Sequence, residues 1–193
     1  MLILTIYQTH DISEIEGLDD LLDELGALVN YEVKVDMVSA ALGQLAGEIV
    51  DILLSDEVQL ILTLASIGGI LKQIINLLRK KNKAFSLGKS AVKSLAVYEV
   101  SEEIGSDSFD LENAKIWGPM VVQSLKLERS SGSFSYRGFP EGIDGYLTAI
   151  AVPKKTDRVR TFWRLVTVDY ENVISWYTQT LAERVPDFLR PGV

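Results

Sequence analysis

The sequence predicts an α+β protein in which an N-terminal β-α-β unit with a helical hairpin is followed by an antiparallel sheet closed by a C-terminal helix. Apolar residues alternate with others near the N-terminus, as in strands, and leucines and isoleucines then recur at helical spacing as far as residue 104. Beyond residue 115 the composition becomes typical of short strands separated by turns. The loop-like GSDSFDLEN places the boundary between residues 1–105 and 106–193.

The N-terminal unit begins with a strand, a helix and a second strand. Leu2, Leu4 and Ile6 alternate with their neighbours, and leucines at helical spacing with acids in the first turn predict a helix over 14–29. YEVKVDMV at 31–38 alternates apolar and polar residues, as a half-buried strand does. A right-handed crossover with the two strands parallel is the simplest arrangement of these elements.

The middle of the chain predicts three helices. Apolar residues at helical spacing indicate helices over 40–54 and 57–81, which form an antiparallel hairpin, and a third helix over 87–104 that ends at a glycine. The pair Gly68-Gly69 costs about 1 kcal/mol per residue relative to alanine inside a helix. We therefore expect a kink there, or the close approach of another helix.

The C-terminal part reads as a β-meander followed by a helix. The segments VVQSLKLER, FSYR, YLTAIAV and RVRTFWRLVTV are separated by turn residues. Asp169 fits the N-cap of a last helix that ends at Pro186. That helix would direct inward the apolar residues Val173, Trp176, Tyr177, Leu181 and Val185.

The composition is that of a soluble globular protein. Apolar residues make up 47% of the 193 residues and charged residues 24%, which suffices for a core without cross-links. The absence of cysteine excludes disulfides and thiolate metal sites and fits a reducing compartment. The first residues lack the pattern of a signal peptide, so we expect a cytoplasmic location.

Charge is segregated into blocks along the chain. Residues 1–57 hold thirteen acids and one lysine, 58–98 hold seven bases and no acid, and 99–114 hold six acids and no base. Residues 115–193 are mildly basic, and the net charge is −8. Opposite blocks are electrostatically complementary between copies, and the basic block begins with the most apolar stretch of the chain. This pattern favours a protein partner or self-association.

The apolar, basic-ended helix over 57–83 has two interpretations. It could lie on an anionic membrane with Lys80, Lys81 and Lys83 at the phosphates, although Lys72 interrupts the run that a transmembrane span would need. It could instead be a core helix whose basic end, including Arg79, complements the helix dipole. Apolar residues on nearly all of its sides favour the core helix.

Two other basic segments are candidate anion sites. Gly88, Lys89 and Ser90 resemble the end of a phosphate-binding loop, but Lys83 stands where the first glycine is required, so only a plain anion site remains. The segment KKTDRVRTFWR at 154–164 carries on one strand face Arg158, Arg160, Phe162 and Arg164. Arginines interleaved with an aromatic can bind nucleic acid, although the acidic net charge makes internal pairing or solvation the favoured interpretation.

Catalytic patterns are weak throughout. His10 is the only histidine and follows the first strand, where a small ligand could bind, but no nucleophile motif accompanies it. The acids at 107–112 lack the spacing of a calcium loop. The sequence favours a non-enzymatic role without a metal or cofactor, and catalysis by carboxylates alone is the alternative that it leaves open.

The sequence therefore predicts a non-enzymatic interaction or assembly protein, a homo-oligomer or a subunit of a larger complex. A membrane-surface effector using 57–83 and a nucleic-acid accessory protein using 154–164 are the alternatives. The candidate partner-binding residues are Arg79, Lys80, Lys81, Lys83, Lys89, Arg158, Arg160 and Arg164.

Overall fold

The chain divides into two compact units, Met1–Glu99 and Val100–Val193, in a computed structural model. The structure describes residues 2–8, 15–28, 31–37, 48–54, 61–81, 84–104, 109–122, 145–167, 169–171 and 173–190. His10 and Lys83 lie outside these described residues.

The first unit contains a four-stranded antiparallel sheet and helices. Its elements are β1 (Leu2–Gln8), α1 (Leu18–Leu28), β2 (Tyr31–Met37), β3 (Glu48–Leu54), α2 (Ile61–Lys80), β4 (Ala84–Leu87) and α3 (Lys89–Glu103), whose last turn belongs to the second unit. The strand order is β2-β3-β1-β4, with every neighbouring pair antiparallel. This order of elements and strands is that of a split β-α-β motif.

The expected pairing of the first two strands is not what the sheet shows. β1 and β2 have the same direction, but β3 lies between them and is hydrogen-bonded to both. Because β3 is the strand Glu48–Leu54, the predicted helix over 40–54 is wrong in its second half, and 40–47 lies outside the described residues. EIVDILL is rich in β-branched residues, which suit a strand with a neighbour on each side. A short apolar run fits both the helical and the strand period, so periodicity alone does not distinguish a helix from a strand here.

The predicted helices over 14–29, 57–81 and 87–104 correspond to α1, α2 and α3. The predicted antiparallel hairpin of helices 40–54 and 57–81 is wrong, because residues 48–54 of its first helix form the strand β3. α2 contacts α1, and its buried residues recur around the helix at Ile61, Leu64, Ile67, Gly68, Ile70, Leu71, Ile74, Ile75 and Leu78.

The close helix approach expected at Gly68-Gly69 lies at Gly68. A Cβ added to Gly68 would meet the backbone carbonyl of Ser94 and would lie 2.6 Å from the Cβ of Tyr98 on α3. At Gly69 the nearest atom is the Tyr98 ring carbon Cε2, at 3.2 Å. A side chain at position 68 would therefore clash with the backbone of α3, whereas a side chain at position 69 would meet only the ring of Tyr98.

The second unit contains an antiparallel meander of four strands. These are β5 (Lys115–Val122), β6 (Gly145–Pro153), β7 (Arg158–Thr167) and β8 (Val173–Leu181), in the order β5-β6-β7-β8. The predicted strands YLTAIAV and RVRTFWRLVTV correspond to β6 and β7. VVQSLKLER overlaps the end of β5, and the rest of that segment and FSYR lie outside the described residues.

The predicted C-terminal helix is wrong, because Val173–Leu181 is the strand β8, followed by short 3₁₀ turns at Ala182–Arg184 and Asp187–Leu189. Asp169 does cap backbone: it accepts a hydrogen bond from the Glu171 amide at 2.9 Å and another from the Thr167 hydroxyl. The capping chemistry therefore serves the turn that joins β7 to β8, because aspartate stabilises tight turns as well as helix starts.

One face of this sheet is covered by the C-terminal turns. Val185 and Leu189 pack against Ala149, Ala151 and Val159. A neighbouring cluster joins Val122, Leu147 and Leu165 with half-buried tryptophans. Trp163 and Trp176 stand opposite each other in the β7–β8 register, with stacked rings whose centroids are 6.0 Å apart.

Candidate interaction surfaces

The basic residues at the end of α2 are on the surface. Lys80 and Lys81 are exposed, and Arg79 is exposed with its Cζ 5.6 Å from the centroid of the Phe85 ring. Lys89, the first residue of α3, is also exposed. Arg79 and Lys80 occupy the last turn of α2, where positive charge complements the helix dipole.

The apolar part of α2 is not a free surface. α2 is long and apolar enough to cross a membrane by length and composition, which a soluble core helix also satisfies. Half of its most apolar window is buried, and Leu62, 52% exposed, is the large apolar exception. Lys72 is bonded to Glu99, with Nζ 2.8 Å from Oε1. Most of the apolar surface that suggested a partner is therefore already covered in the folded chain.

The three arginines of β7 have three different environments. Arg158 is exposed at the start of the strand, and Arg160 is half-buried. Arg164 is only 2% exposed, pairs through Nη2 with Glu103 and donates from Nη1 to the Trp163 carbonyl at 3.0 Å. Arg164 is therefore matched inside its own unit, and its side chain is not presented to a partner.

Arg160 lies over aromatic rings. Its Cζ is 4.5 Å from the ring centroid of Tyr177 on β8, 4.9 Å from that of Phe109 and 5.8 Å from that of Phe162. Its Nε is buried without a hydrogen-bond partner. A cation over an aromatic face is attracted by the quadrupole of the ring. Arg160 is therefore placed by rings rather than by a carboxylate.

Lys154 and Arg158 bring further positive charge to this place. The Arg158 carbonyl accepts the Lys154 amide at 2.9 Å, so the two residues face each other across the β6–β7 turn. Phe109 forms an isolated β-bridge with Lys154, whose Nζ lies 5.0 Å from the Phe109 ring centroid. Lys154, Arg158, Arg160, Phe109 and Tyr177 together are called the Arg160 cluster. Within the described part of the chain, none of its three cations has an acid at ion-pair distance.

The two edges of this sheet differ in how they are protected. β5 contains Lys115, a register shift between Trp117 and Met120, and Pro119, which lacks an N–H. Charges, bulges and prolines on an edge are devices that prevent pairing with another chain. β8 has none of them: VISWYTQTL carries no charge, and its nine residues pair with β7 without a register shift.

The outer strand β8 also exposes apolar side chains. Val173 is 36% exposed, Leu181 39% and Tyr177 54%. Elsewhere in the described residues, large exposed apolar side chains include Leu28, Leu62, Met120, Val121 and Phe188. Most of these apolar groups belong to the second unit, whereas the sequence concentrates apolar residues in α2.

Sequence reasoning found two of the five residues of the Arg160 cluster as candidate partner-binding positions, Arg158 and Arg160. It placed Lys154 in the same hairpin, left Phe109 in a boundary loop and directed Tyr177 into a helix core. Phe109 could not be connected to β7 because it is brought there by a single bridge across a long sequence separation. Among the described residues no group of three or more histidine or acidic side chains is placed to hold a metal ion.

Comparisons with known proteins identify no relative: no protein-family model, curated protein or solved structure matches the chain.

Proposed function

We propose that this chain is a non-enzymatic assembly protein that associates with a second copy through β8. The observation that carries the proposal is an uncharged, unbroken nine-residue strand that, among the described residues, lies at the edge of the β5–β8 sheet. A strand edge presents a row of backbone donors and acceptors that a second strand can satisfy. Pairing two such edges antiparallel, about a twofold axis, gives a closed dimer.

The second copy is the partner that best fits this edge. The chain carries a net charge of −8, so two copies repel each other at long range, but β8 itself adds no charge to the contact. Exposed Val173 and Leu181, which lie on one face of β8, add apolar contact beside the backbone ladder. This support differs from the charge blocks of the sequence, because salt does not weaken edge pairing whereas it screens the attraction between opposite surface charges.

Light scattering after size exclusion at low and high salt tests the proposal. The unmodified protein is expected to be a dimer at both salt concentrations. The double variant Val173→Lys, Leu181→Lys is expected to be a monomer, because lysines on an edge oppose pairing with a like edge. The matched control Met120→Lys, Val121→Lys places the same charges on exposed positions of β5 and is expected to remain a dimer.

A monomer under both conditions would overturn the proposal. Loss of the dimer only at high salt would instead assign association to the charge blocks. Equal loss of the dimer in both double variants would remove β8 as the contact. The membrane-surface alternative needs the apolar side of α2 free, and no contact of the described residues favours it.

A further inference from the structure

We infer that the Arg160 cluster binds single-stranded nucleic acid, with its cations at the phosphates and Tyr177 as a platform for a base. The inference goes beyond assembly through β8, because it uses side chains of one sheet face and not the backbone of the edge. It rests on three observations: positive charge without a paired acid among the described residues, an arginine positioned by aromatic rings, and an exposed ring beside it.

Within the part of the chain that the structure describes, the positive charge of the cluster has no acidic counterpart. Lys154 Nζ and Arg160 Cζ lie 5.0 Å and 4.9 Å from the centroid of one ring, that of Phe109, and Arg158 is adjacent to Lys154 in the hairpin. No described acid pairs with any of the three. On the same strand Arg164, by contrast, has Glu103. An anion bound at Arg160 would supply the negative charge that Glu103 supplies at Arg164.

Arg160 is positioned by aromatic rings. The ring centroids of Tyr177 and Phe109 lie 4.5 Å and 4.9 Å from its Cζ, and because its Nε is buried, an anion would be bound through its terminal nitrogens. Guanidinium donors lie in the plane of the group and match a phosphate oxygen pair. A positioned arginine of this kind loses less conformational freedom on binding than a free surface lysine.

Tyr177 supplies the part of the site that recognises a base. Its ring is the most exposed of the large apolar side chains of β8, at 54%, and stands beside Arg160. Stacking of a base on an exposed aromatic ring contributes independently of sequence, because every base has a π-face. Cation and ring side by side therefore match a phosphate and its neighbouring base.

A single strand fits this arrangement better than other polyanions. An acidic peptide would satisfy the cations but offers no planar group for Tyr177, and a duplex keeps its bases stacked on one another. The cluster spans only the start of β7, the turn before it, Phe109 and one neighbouring residue of β8. We therefore expect a short site for a few nucleotides, without sequence preference and with strong salt dependence.

Fluorescence anisotropy with a 5′-labelled thymidine oligonucleotide of about 10 nucleotides measures this binding at low salt. The variants Arg160→Gln and Tyr177→Leu are each expected to weaken binding about tenfold, whereas Tyr177→Phe keeps the ring and is expected to bind as the unmodified protein does. Arg160→Gln is also expected to flatten the dependence of affinity on salt. Because Tyr177 is exposed, its variants test the site even where Arg160→Gln fails to fold.

Controls separate this site from general charge and from the edge contact. Arg184→Gln removes the same charge at an exposed position of the same unit and is expected to leave binding unchanged. The Val173→Lys, Leu181→Lys variant is expected to retain binding as a monomer, so a failed dimer and a failed site are distinguishable.

Four results would overturn the inference. They are no binding by the unmodified protein, an equal loss in Arg184→Gln, unchanged binding in both Arg160→Gln and Tyr177→Leu, and displacement of the oligonucleotide by polyglutamate at equal charge. Competition by thymidine monophosphate or inorganic phosphate tells whether one nucleotide, or the phosphate alone, fills the site. Displacement by the nucleotide but not by phosphate is the expected outcome, and displacement by phosphate at the same concentration would reject the role of Tyr177.

Discussion

The helix α2 and the strands β7 and β8 use the same kinds of residue in opposite ways. In α2, apolar residues are buried around most of the helix, and Lys72 is paired with Glu99. On β7 and β8, Arg160 has no ion pair with a described acid, and Tyr177, Val173 and Leu181 remain exposed. Apolar and basic composition alone therefore does not locate an interaction surface. What distinguishes the two regions is whether the chain itself supplies the complement.

The largest expected effect tests how tightly α2 is enclosed. Gly68→Ala places a Cβ against the Ser94 carbonyl and 2.6 Å from the Cβ of Tyr98, so α2 and α3 have to move apart. Overpacking of this kind costs about 1–3 kcal/mol, and because a backbone atom is in the way we expect a loss at the upper end. Urea unfolding followed by circular dichroism measures it.

Gly69→Ala is the matched control for this substitution. Its Cβ would meet only the Tyr98 ring, at 3.2 Å, and the ring can turn aside. The gain in helix propensity, about 1 kcal/mol, then offsets most of the contact. Equal stability of the two variants would show that the helices are not in close backbone contact at Gly68.

The next largest effect is expected when the acid that pairs with Arg164 is removed. Glu103→Gln removes the charge that pairs with Arg164, which is 2% exposed, and leaves the guanidinium without an anion. Because Glu103 is 44% exposed and glutamine still accepts a hydrogen bond, we expect a loss of about 1–2 kcal/mol in the free energy of unfolding. Thermal or urea unfolding of the variant provides the measurement.

Glu102→Gln provides the comparison for that loss, since Glu102 is the exposed neighbour on α3. We expect it to change stability by less than about 0.5 kcal/mol. In the double variant Glu103→Gln, Arg164→Met, most of the loss should be recovered because no unpaired charge remains buried. A loss in the double variant equal to the sum of the single losses would contradict the pairing.

These contrasts also show what the sequence could predict. Long periodic segments were identified correctly: α1, α2 and α3 have many turns in which the helical period repeats, and β6 and β7 are bounded by clear turns. Glu48–Leu54 and Val173–Leu181 were predicted as helices because their apolar residues satisfy both periods over so few residues. Their strand state is decided by pairing with β1, β2 and β7, which are distant or ambiguous in sequence.

The candidate sites were predictable to a similar degree. Alternation alone placed Arg158, Arg160 and Arg164 on one strand face, which their shared register on β7 agrees with. It could not tell that Glu103 approaches Arg164, nor that Phe109 and Tyr177 approach Arg160, because those contacts depend on the packing of α3, the bridge at Lys154 and the β8 pairing. The sequence therefore identifies the arginines of β7, and only the fold shows that Arg164 is paired with Glu103 while Arg160 has no ion pair among the described residues.

The smallest expected effect concerns Lys93 on α3, a third kind of basic environment. Burial lowers the pKa of Lys93 below its ordinary value of 10.5. The unfolded chain then binds the proton more tightly than the folded chain, so stability rises as the pH increases through the folded pKa towards 10.5, and the penalty is fully present at neutral pH. Lys93→Met should remove it, stabilising the protein at neutral pH by no more than about 0.5 kcal/mol and reducing the rise at alkaline pH. Urea unfolding at pH 7 and near pH 10, with Lys89→Met at an exposed position of the same helix as the control, measures both effects. A pH dependence equal in the two variants would contradict the burial of the Lys93 amine in the folded chain.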